Sequence, residues 1–167
     1  MPKISSFVAR VVVPLVCALC ASIAYSQAIP TLCRFTSATG IAFGIYQDGA
    51  SIPKDTTSSV TINCARNSGP QNLNLTVAIG PSATSGTIGT RSLREGSGAI
   101  ITYNLYRDSS RSLIWGQTAG VDTVTQALSI PNNSSASSTF TIFGRIPALQ
   151  NARVGTYSDS VVATVYY

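Results

Sequence analysis

The residues of this chain that could do chemistry are few, and the cysteines are the most informative of them. The sequence has four cysteines and no histidine. Cys17 and Cys20 lie in an apolar N-terminal run, so Cys33 and Cys64 are the two that belong to the rest of the chain. Two cysteines this far apart, with no histidine to help, do not supply the four ligands of a structural zinc site. We therefore expect no metal site.

Catalytic groups are equally sparse. A serine nucleophile needs a neighbouring base, and histidine, the usual one, is absent. Glu95 is the single glutamate, so a two-carboxylate glycosidase would have to use aspartates that stand in turn-like segments. This inventory predicts a protein that is not an enzyme and that needs no cofactor.

The N-terminus has the pattern of an export signal. Lys3 and Arg10 lead into an apolar run over residues 11–21, which is too short to span a bilayer. Small residues then allow cleavage before Gln27 or before Ile29. A lipoprotein is the competing interpretation, but neither cysteine of the run follows the small residue that lipid attachment normally requires.

We therefore assign residues 1–26 to a signal peptide and residues 27–167 to a single domain, which is large enough to bury a core. No other apolar run approaches the ~20 residues of a membrane helix, so we expect no membrane span in the mature chain. Removing Lys3 and Arg10 from the 11 basic residues leaves nine, against six acidic ones, a net charge of +3. These charges are scattered, which argues against a nucleic-acid partner.

Alternation of polar and apolar residues predicts β-strands. The segments with this pattern are residues 59–64, 72–79, 139–146 and 157–167, with further strands near 41–46 and 100–106 and a shorter one at 112–115. Phe140, Ile142 and Ile146 fall on one face of their strand. Glycine, proline and asparagine clusters separate the segments. Seven or so short strands predict an all-β, immunoglobulin-like β-sandwich.

Export to an oxidising compartment favours a disulfide between Cys33 and Cys64 over free thiols. Cys64 ends a strand whose apolar residues alternate inward, and Cys33 precedes the first predicted strand. Closing a loop of about 30 residues stabilises a fold by roughly 3 to 4 kcal/mol in the chain-entropy model.

Three conspicuous side chains have a structural explanation that competes with a functional one. Trp115, beside two aliphatic residues, is expected in the core rather than in a ligand site. Asp108, with its neighbouring arginines and serines, is expected to form a hairpin turn. Asp159 is expected to cap the turn before the last strand.

A series of short motifs gives the chain a specific resemblance. In order, these are Phe43-Gly44-Ile45-Tyr46, Val60-Thr61-Ile62-Asn63-Cys64, Arg91-Ser92-Leu93, Tyr103-Asn104-Leu105-Tyr106-Arg107-Asp108 with Trp115-Gly116, Phe143-Gly144-Arg145-Ile146-Pro147 and Gly155-Thr156-Tyr157-Ser158-Asp159. With this order and spacing, the chain resembles the spore coat protein U domain family, which includes subunits of archaic chaperone–usher pili. The resemblance covers nearly all of residues 27–167.

The resemblance implies a sandwich that lacks its final strand and is completed by donor-strand complementation. The gap leaves an apolar groove, which a periplasmic chaperone fills by lending a strand. An N-terminal extension of the next pilin subunit then replaces that strand at the outer-membrane usher, giving a homo- or hetero-polymer. The implied groove edge here is the alternating series Val161, Ala163, Val165 and Tyr167.

The implied donor segment is short. Its apolar residues are Ala28, Ile29 and Leu32. Residues 27–32 span about 20 Å when fully extended, and Pro30 removes one backbone donor. Either the signal is cleaved further upstream, near Ala21, or this subunit accepts a strand without donating a full one, as a tip or terminating subunit would.

Three functional hypotheses follow. The first is a structural subunit of a chaperone–usher surface pilus that supports surface adhesion and biofilm formation. The alternatives are a pilus-tip adhesin, which binds carbohydrate or abiotic surfaces through loops at one end of the sandwich, and a secreted coat protein of a spore or cell surface. All three place the protein in the periplasm in transit and then outside the cell.

Overall fold

The structure is a computed structural model that describes residues 31–167. The predicted signal peptide and the donor residues Ala28 and Ile29 lie outside the described residues. Nine strands follow in chain order: β1 (Leu32–Ala38), β2 (Lys54–Arg66), β3 (Gln71–Ser82), β4 (Arg91–Glu95), β5 (Ile100–Tyr106), β6 (Val124–Ile130), β7 (Ser134–Ile146), β8 (Tyr157–Ser158) and β9 (Val161–Tyr166). This part of the chain contains no helix that could cross a membrane.

The strands form two antiparallel sheets that share one core. The larger sheet has the order β1-β2-β7-β5-β4-β8, and the smaller one has the order β6-β3-β9. Ile62 of β2, Phe140 of β7 and Val77 of β3 are fully buried and belong to a single apolar cluster. The predicted all-β sandwich is confirmed. Alternation along each strand builds this core, because every second side chain points into the space between the sheets.

Trp115 occupies the middle of the core. It is fully buried, and its indole N–H donates to the carbonyl oxygen of Val77 at 2.9 Å. Its ring centroid lies 6.5 Å from that of Phe140. The expectation of a core role is therefore correct. The predicted core face of residues 139–146 is also correct, because Phe140, Ile142 and Ile146 are all buried.

A disulfide joins β1 to β2. Cys33 and Cys64 are bonded and stand directly opposite each other in the strand register. The expectation that Cys33 precedes the first strand is wrong, since Cys33 is the second residue of β1. The bond therefore fastens an edge strand to its sheet.

Two predicted strands are replaced by irregular chain. Residues 41–46 form no strand. Phe43 packs edge-on against Tyr103 of β5, with ring centroids 5.7 Å apart, so the segment lies against the core side of the larger sheet instead of pairing in it. Residues 112–115 make one isolated bridge, between Tyr106 and Ile114. In both segments apolar side chains pack against the core although the backbone does not pair as a strand.

The last predicted strand, residues 157–167, is two strands in different sheets. β8 pairs with β4, and β9 pairs with β3. At Asp159 and Ser160 the chain passes from the larger sheet to the smaller one. The sequence pattern also misses β1, β4 and β6. In β6 the polar Gln126 takes an inward position between Val124 and Leu128, which hides the alternation.

Candidate functional site

The last strand, β9, ends the smaller sheet and has one unpaired edge. Within residues 31–167 its strand pairing is with β3 alone, where Val165 stands opposite Val77 and Ala163 opposite Ile79. The other edge presents free backbone N–H and C=O groups along six residues, about 20 Å of strand. Such an edge is a template for another strand.

The inward face of β9 is only half covered. Val161, Ala163 and Val165 are half-buried, whereas Val77 and Ile79 on the neighbouring β3 are almost completely buried. Val161 and Val165 pack against the shared core. The inward side chains of β9 are therefore less buried than those of β3, and apolar side chains line the free edge.

The remaining residues at this end of the chain are exposed. Val162 and Tyr166 point away from the core and are 72% and 53% exposed. Tyr167, which the sequence groups with the inward residues, follows the end of β9 and is exposed.

The larger sheet ends at β1, whose core-facing side is uncovered at Phe35. Cys33 and Phe35 face the same side, because they stand opposite the buried Cys64 and Ile62 of β2. Cys33 is buried, but Phe35 is 37% exposed. Leu32, a predicted donor residue, is the first residue of β1 and is exposed.

A cavity of about 710 Å³ lies between the segment after β1 and the segment before β9. Its floor is made by Leu93 of β4, Ile101 of β5 and Ile146 of β7, and its walls by residues 41–48 and 152–157. This volume is typical of a ligand-sized site. Because residues 152–157 lead through β8 into β9, the cavity and the free edge belong to one stretch of chain.

Gly144 of β7 makes room for one wall of the cavity. A Cβ atom at this position would lie 2.8 Å from Cγ2 of Thr56 and 3.0 Å from Cζ of Phe43. A larger residue would therefore push Phe43 away from the sheet. In the sequence Gly144 stands out only as part of a motif, because its contact with Phe43 joins residues about a hundred positions apart.

Hydrogen bonds tie the two walls together. The Tyr46 hydroxyl donates to the Pro147 carbonyl oxygen at 3.1 Å and accepts from the backbone N–H of Gln150 at the same distance. The backbone N–H of Ala152 donates to Asp48 at 2.8 Å. The cavity is therefore held open by a bonded pair of loops.

Comparison with known proteins places this architecture in a family. The model of the Spore Coat Protein U domain matches residues 19–164. The chain belongs to this family. Protein U of Myxococcus xanthus is 34% identical over 67 residues, which are 40% of this chain and 34% of that protein.

A solved structure has a similar fold. It is a chain of the CsuC–CsuE chaperone–tip adhesion subunit pre-assembly complex from archaic chaperone–usher Csu pili of Acinetobacter baumannii, with a TM-score of 0.52 and 19% sequence identity. The match covers 83% of this chain and 40% of that one. This spore coat protein U domain therefore spans well under half of both known proteins.

One charged residue of this spore coat protein U domain, Asp108, organises a turn. Asp108 accepts hydrogen bonds from the Ser110 hydroxyl and from the backbone N–H groups of Ser112 and Leu113, the last at 2.7 Å. These bonds, that from Ser110 foremost, lower the pKa of Asp108. The predicted hairpin turn is therefore correct.

Asp159 does more than cap a turn. It accepts from the Tyr103 hydroxyl of β5 at 2.7 Å and from the backbone N–H of Thr84 at 3.0 Å, so it joins the two sheets where the chain crosses between them. Burial raises the pKa of Asp159, but the hydrogen bonds from the Tyr103 and Ser82 side chains and from the Thr84 and Ser160 backbone outweigh burial and lower this pKa overall. Burial also raises the pKa of Tyr103, which keeps the phenol protonated as the donor.

The described part of the chain has no cluster of three or more cysteine or acidic side chains placed to hold a metal ion. Ser51 and Lys54 have the Ser-x-x-Lys spacing of some acyl-transfer enzymes. Here, however, that spacing spans a bend and the start of β2 rather than one turn of a helix. The surface that the domain offers is the strand edge and its cavity.

Proposed function

We propose that this domain is an exported structural subunit of a chaperone–usher surface pilus and assembles by donor-strand complementation. The observation that carries the proposal is the free edge of β9. Its inward residues Val161, Ala163 and Val165 are half-buried beside the fully covered β3. A strand supplied by a partner would pair with this edge and cover these side chains.

The edge specifies the chemistry of the incoming strand. Successive residues of a strand point to opposite faces, so the partner needs apolar residues at every second position. The cavity between residues 41–48 and 152–157 offers room for larger apolar side chains at one end. We assign the first such strand to a periplasmic chaperone and the second to the next pilin subunit, exchanged at an outer-membrane usher. The resulting fibre would serve surface adhesion and biofilm formation.

In this proposal Ala28, Ile29 and Leu32 of one subunit belong to its donor segment. Leu32 is already paired with Ala65 inside the domain. The donor segment ahead of β1 would then be residues 27–31, about 17 Å when extended, against about 20 Å for β9. Sequencing the mature N-terminus tests this. A start near Ala21 lengthens the donor and supports a position within the fibre, whereas a start at Gln27 supports one at its end.

Recovery from the periplasm tests the acceptor role. We expect the exported chain to be isolated as a one-to-one complex with a chaperone, and to be degraded or to aggregate when the chaperone gene is deleted. The physical reason is that an uncovered apolar strand edge associates non-specifically. If the mature protein purifies alone as a stable, soluble monomer, the incomplete-sandwich proposal is wrong.

A second candidate function, a pilus-tip adhesin, is favoured by exposed apolar side chains on the loops that follow β1 and β7. Ile45 is 84% exposed, and Ile52, Leu149 and Val154 are exposed as well. Leu149 is tied to the loop that follows β1, because its backbone N–H donates to the Ala50 carbonyl oxygen at 2.7 Å. Apolar groups held on rigid loops suit an apolar or abiotic surface.

The two candidates separate experimentally. An adhesin should keep its surface binding when a fused donor peptide fills the acceptor edge, and should lose it when Ile45 and Leu149 are changed to serine. For a structural subunit, fibre assembly should be lost when the donor peptide fills the acceptor edge and should be kept when Ile45 and Leu149 are changed to serine. A coat protein, the third hypothesis, should appear on resting cells without fibres in electron micrographs.

A further inference from the structure

The sequence of β9 does not by itself choose a register. Val161, Ala163 and Val165 face the core, but the opposite face carries Val162 and Tyr166, which are also largely apolar. A one-residue slip in strand pairing exchanges the two faces. The observed register therefore depends on a feature outside β9.

That feature is a bulge in β3. Between Ile79 and Ser82, three steps along β3 face two steps along β9. The extra residue lies in the stretch Gly80-Pro81, where proline also lacks a backbone N–H donor. β9 passes close to it, because a Cβ atom on Gly80 would lie 3.3 Å from the carbonyl oxygen of Val162.

The side chain of Arg91 holds this bulge from the other sheet. Arg91 belongs to β4 and is completely buried. Its Nη2 donates to the carbonyl oxygens of Ile79 and Gly80 at 3.0 and 2.9 Å, and its Nε donates to Gly80 at 3.2 Å. Nη2 also reaches the Trp115 carbonyl oxygen at 2.8 Å, and Nη1 reaches Oδ1 of Asn104 at 2.6 Å.

The charge of Arg91 is balanced by dipoles rather than by a carboxylate. The two ion pairs found among residues 31–167 both involve Asp55, and neither involves Arg91. Burial lowers the pKa of Arg91, but a guanidinium remains protonated in a protein. A buried charge without its acceptors is strongly unfavourable, so the bulge carbonyls are held where Arg91 needs them.

We propose that Arg91 sets the register of β9 on β3 and thereby selects which face of β9 lines the acceptor edge. Arg91 is a positioning residue, because its side chain hydrogen-bonds to the β3 bulge and acts on β9 through that bulge. The register follows from the structure alone; its meaning for strand acceptance rests on the proposed function.

Paired cysteine substitutions in the full exported chain measure the register. In the observed register Thr76 stands opposite Tyr166. If regular pairing continued from the Ser82–Val161 pair without a bulge, Thr76 would stand opposite Tyr167. Thr76→Cys with Tyr166→Cys therefore reports the observed register, and Thr76→Cys with Tyr167→Cys reports the slipped one. The disulfide yield of each pair is read on non-reducing gels.

Each pair is placed in four backgrounds: the wild-type chain, Arg91→Met, Arg91→Lys and the control Arg94→Met. Arg94 is exposed on the same strand. We expect the wild-type chain and the control to favour the Tyr166 pair. Both Arg91 variants should shift the ratio towards the Tyr167 pair by about tenfold, the factor expected from losing one charge-assisted hydrogen bond.

Two results would overturn the assignment of Arg91 to the register. One is a ratio in the Arg91 variants equal to that of Arg94→Met. The other is loss of all folded chain from both Arg91 variants while the control accumulates, which would assign Arg91 to folding in general. The cross-link joins two residues of the same chain and is read in the same way with or without a bound chaperone strand, so its outcome is separate from that of the proposed function.

Discussion

Placing a charge on the inward face of β9 should block strand acceptance, and the neighbouring residue provides the control. Val165 is half-buried and stands opposite the fully buried Val77. Thr164, next to it, is exposed on the other face of the same strand. Val165→Asp and Thr164→Asp therefore introduce the same charge at adjacent positions, one under the incoming strand and one in water.

The magnitude follows from the burial of each position. Complete burial of valine contributes about 1.5 to 3 kcal/mol. The larger part of Val165 is already covered, so covering the exposed remainder contributes about 0.5 to 1 kcal/mol to binding. An aspartate in its place would be covered without a partner, at a further cost of about 1 to 3 kcal/mol. Together these two costs, about 1.5 to 4 kcal/mol, weaken binding by roughly tenfold to a thousandfold. Thr164→Asp costs at most about 1 kcal/mol through strand propensity.

The assay is co-purification of the chaperone with each variant from the periplasm, followed by the affinity of the isolated complexes. We expect Val165→Asp to lose the complex and Thr164→Asp to keep it. Val161→Asp should behave like Val165→Asp, because both side chains pack against the core. If Val165→Asp binds as well as Thr164→Asp, the acceptor surface is not at β9. If both lose binding equally, the effect is general destabilisation rather than groove chemistry.

Three further predictions concern stability. Replacing Cys33 and Cys64 together by alanine should destabilise the fold by about 3 to 4 kcal/mol; an unchanged yield of exported protein and an unshifted non-reducing gel would contradict this. Trp115→Phe should cost at least about 1 to 3 kcal/mol in denaturant unfolding, because a buried carbonyl of β3 loses its donor, and an unchanged midpoint would argue against that bond. The hydrogen bonds from Arg145 lower the pKa of Asp55, so the pair stabilises the fold above the ordinary carboxyl pKa, and this contribution disappears as pH falls through the lowered value. Asp55→Asn should therefore flatten the acid side of the profile of stability against pH, and only modestly, because the pair is partly exposed. An identical profile for the variant and the wild-type chain would refute this.

Prediction from the sequence succeeded where one local pattern was sufficient. Residues 139–146 largely alternate between polar and apolar, and the inward residues Phe140, Ile142 and Ile146 are buried as expected. Prediction failed where a tertiary contact overrides the pattern. In β6, inward Gln126 breaks the apolar alternation, yet its amide has partners across the sandwich in Ser138 and Thr139 of β7. Residues 157–167 alternate as one strand, but the cross-sheet bonds of Asp159 divide them between two sheets.

The candidate site shows the same division. The inward series Val161, Ala163 and Val165 was visible as an alternation, and the structure places these residues half-buried at a free edge. The cavity was not predictable, because its walls are two loops about a hundred residues apart in the chain. The role of Arg91 was also hidden, since a buried arginine looks the same in a sequence as an exposed one.

The class of the fold, the cysteine pair and the scarcity of catalytic groups can be predicted without a structure, because each depends on residue type and short-range order. The tertiary structure is needed to show which strand remains at the edge, which face of β9 points inward and where the core is left uncovered. Those properties depend on which distant strands become neighbours. A six-residue segment with apolar side chains on both faces cannot specify them without the bulge that Arg91 holds beside it.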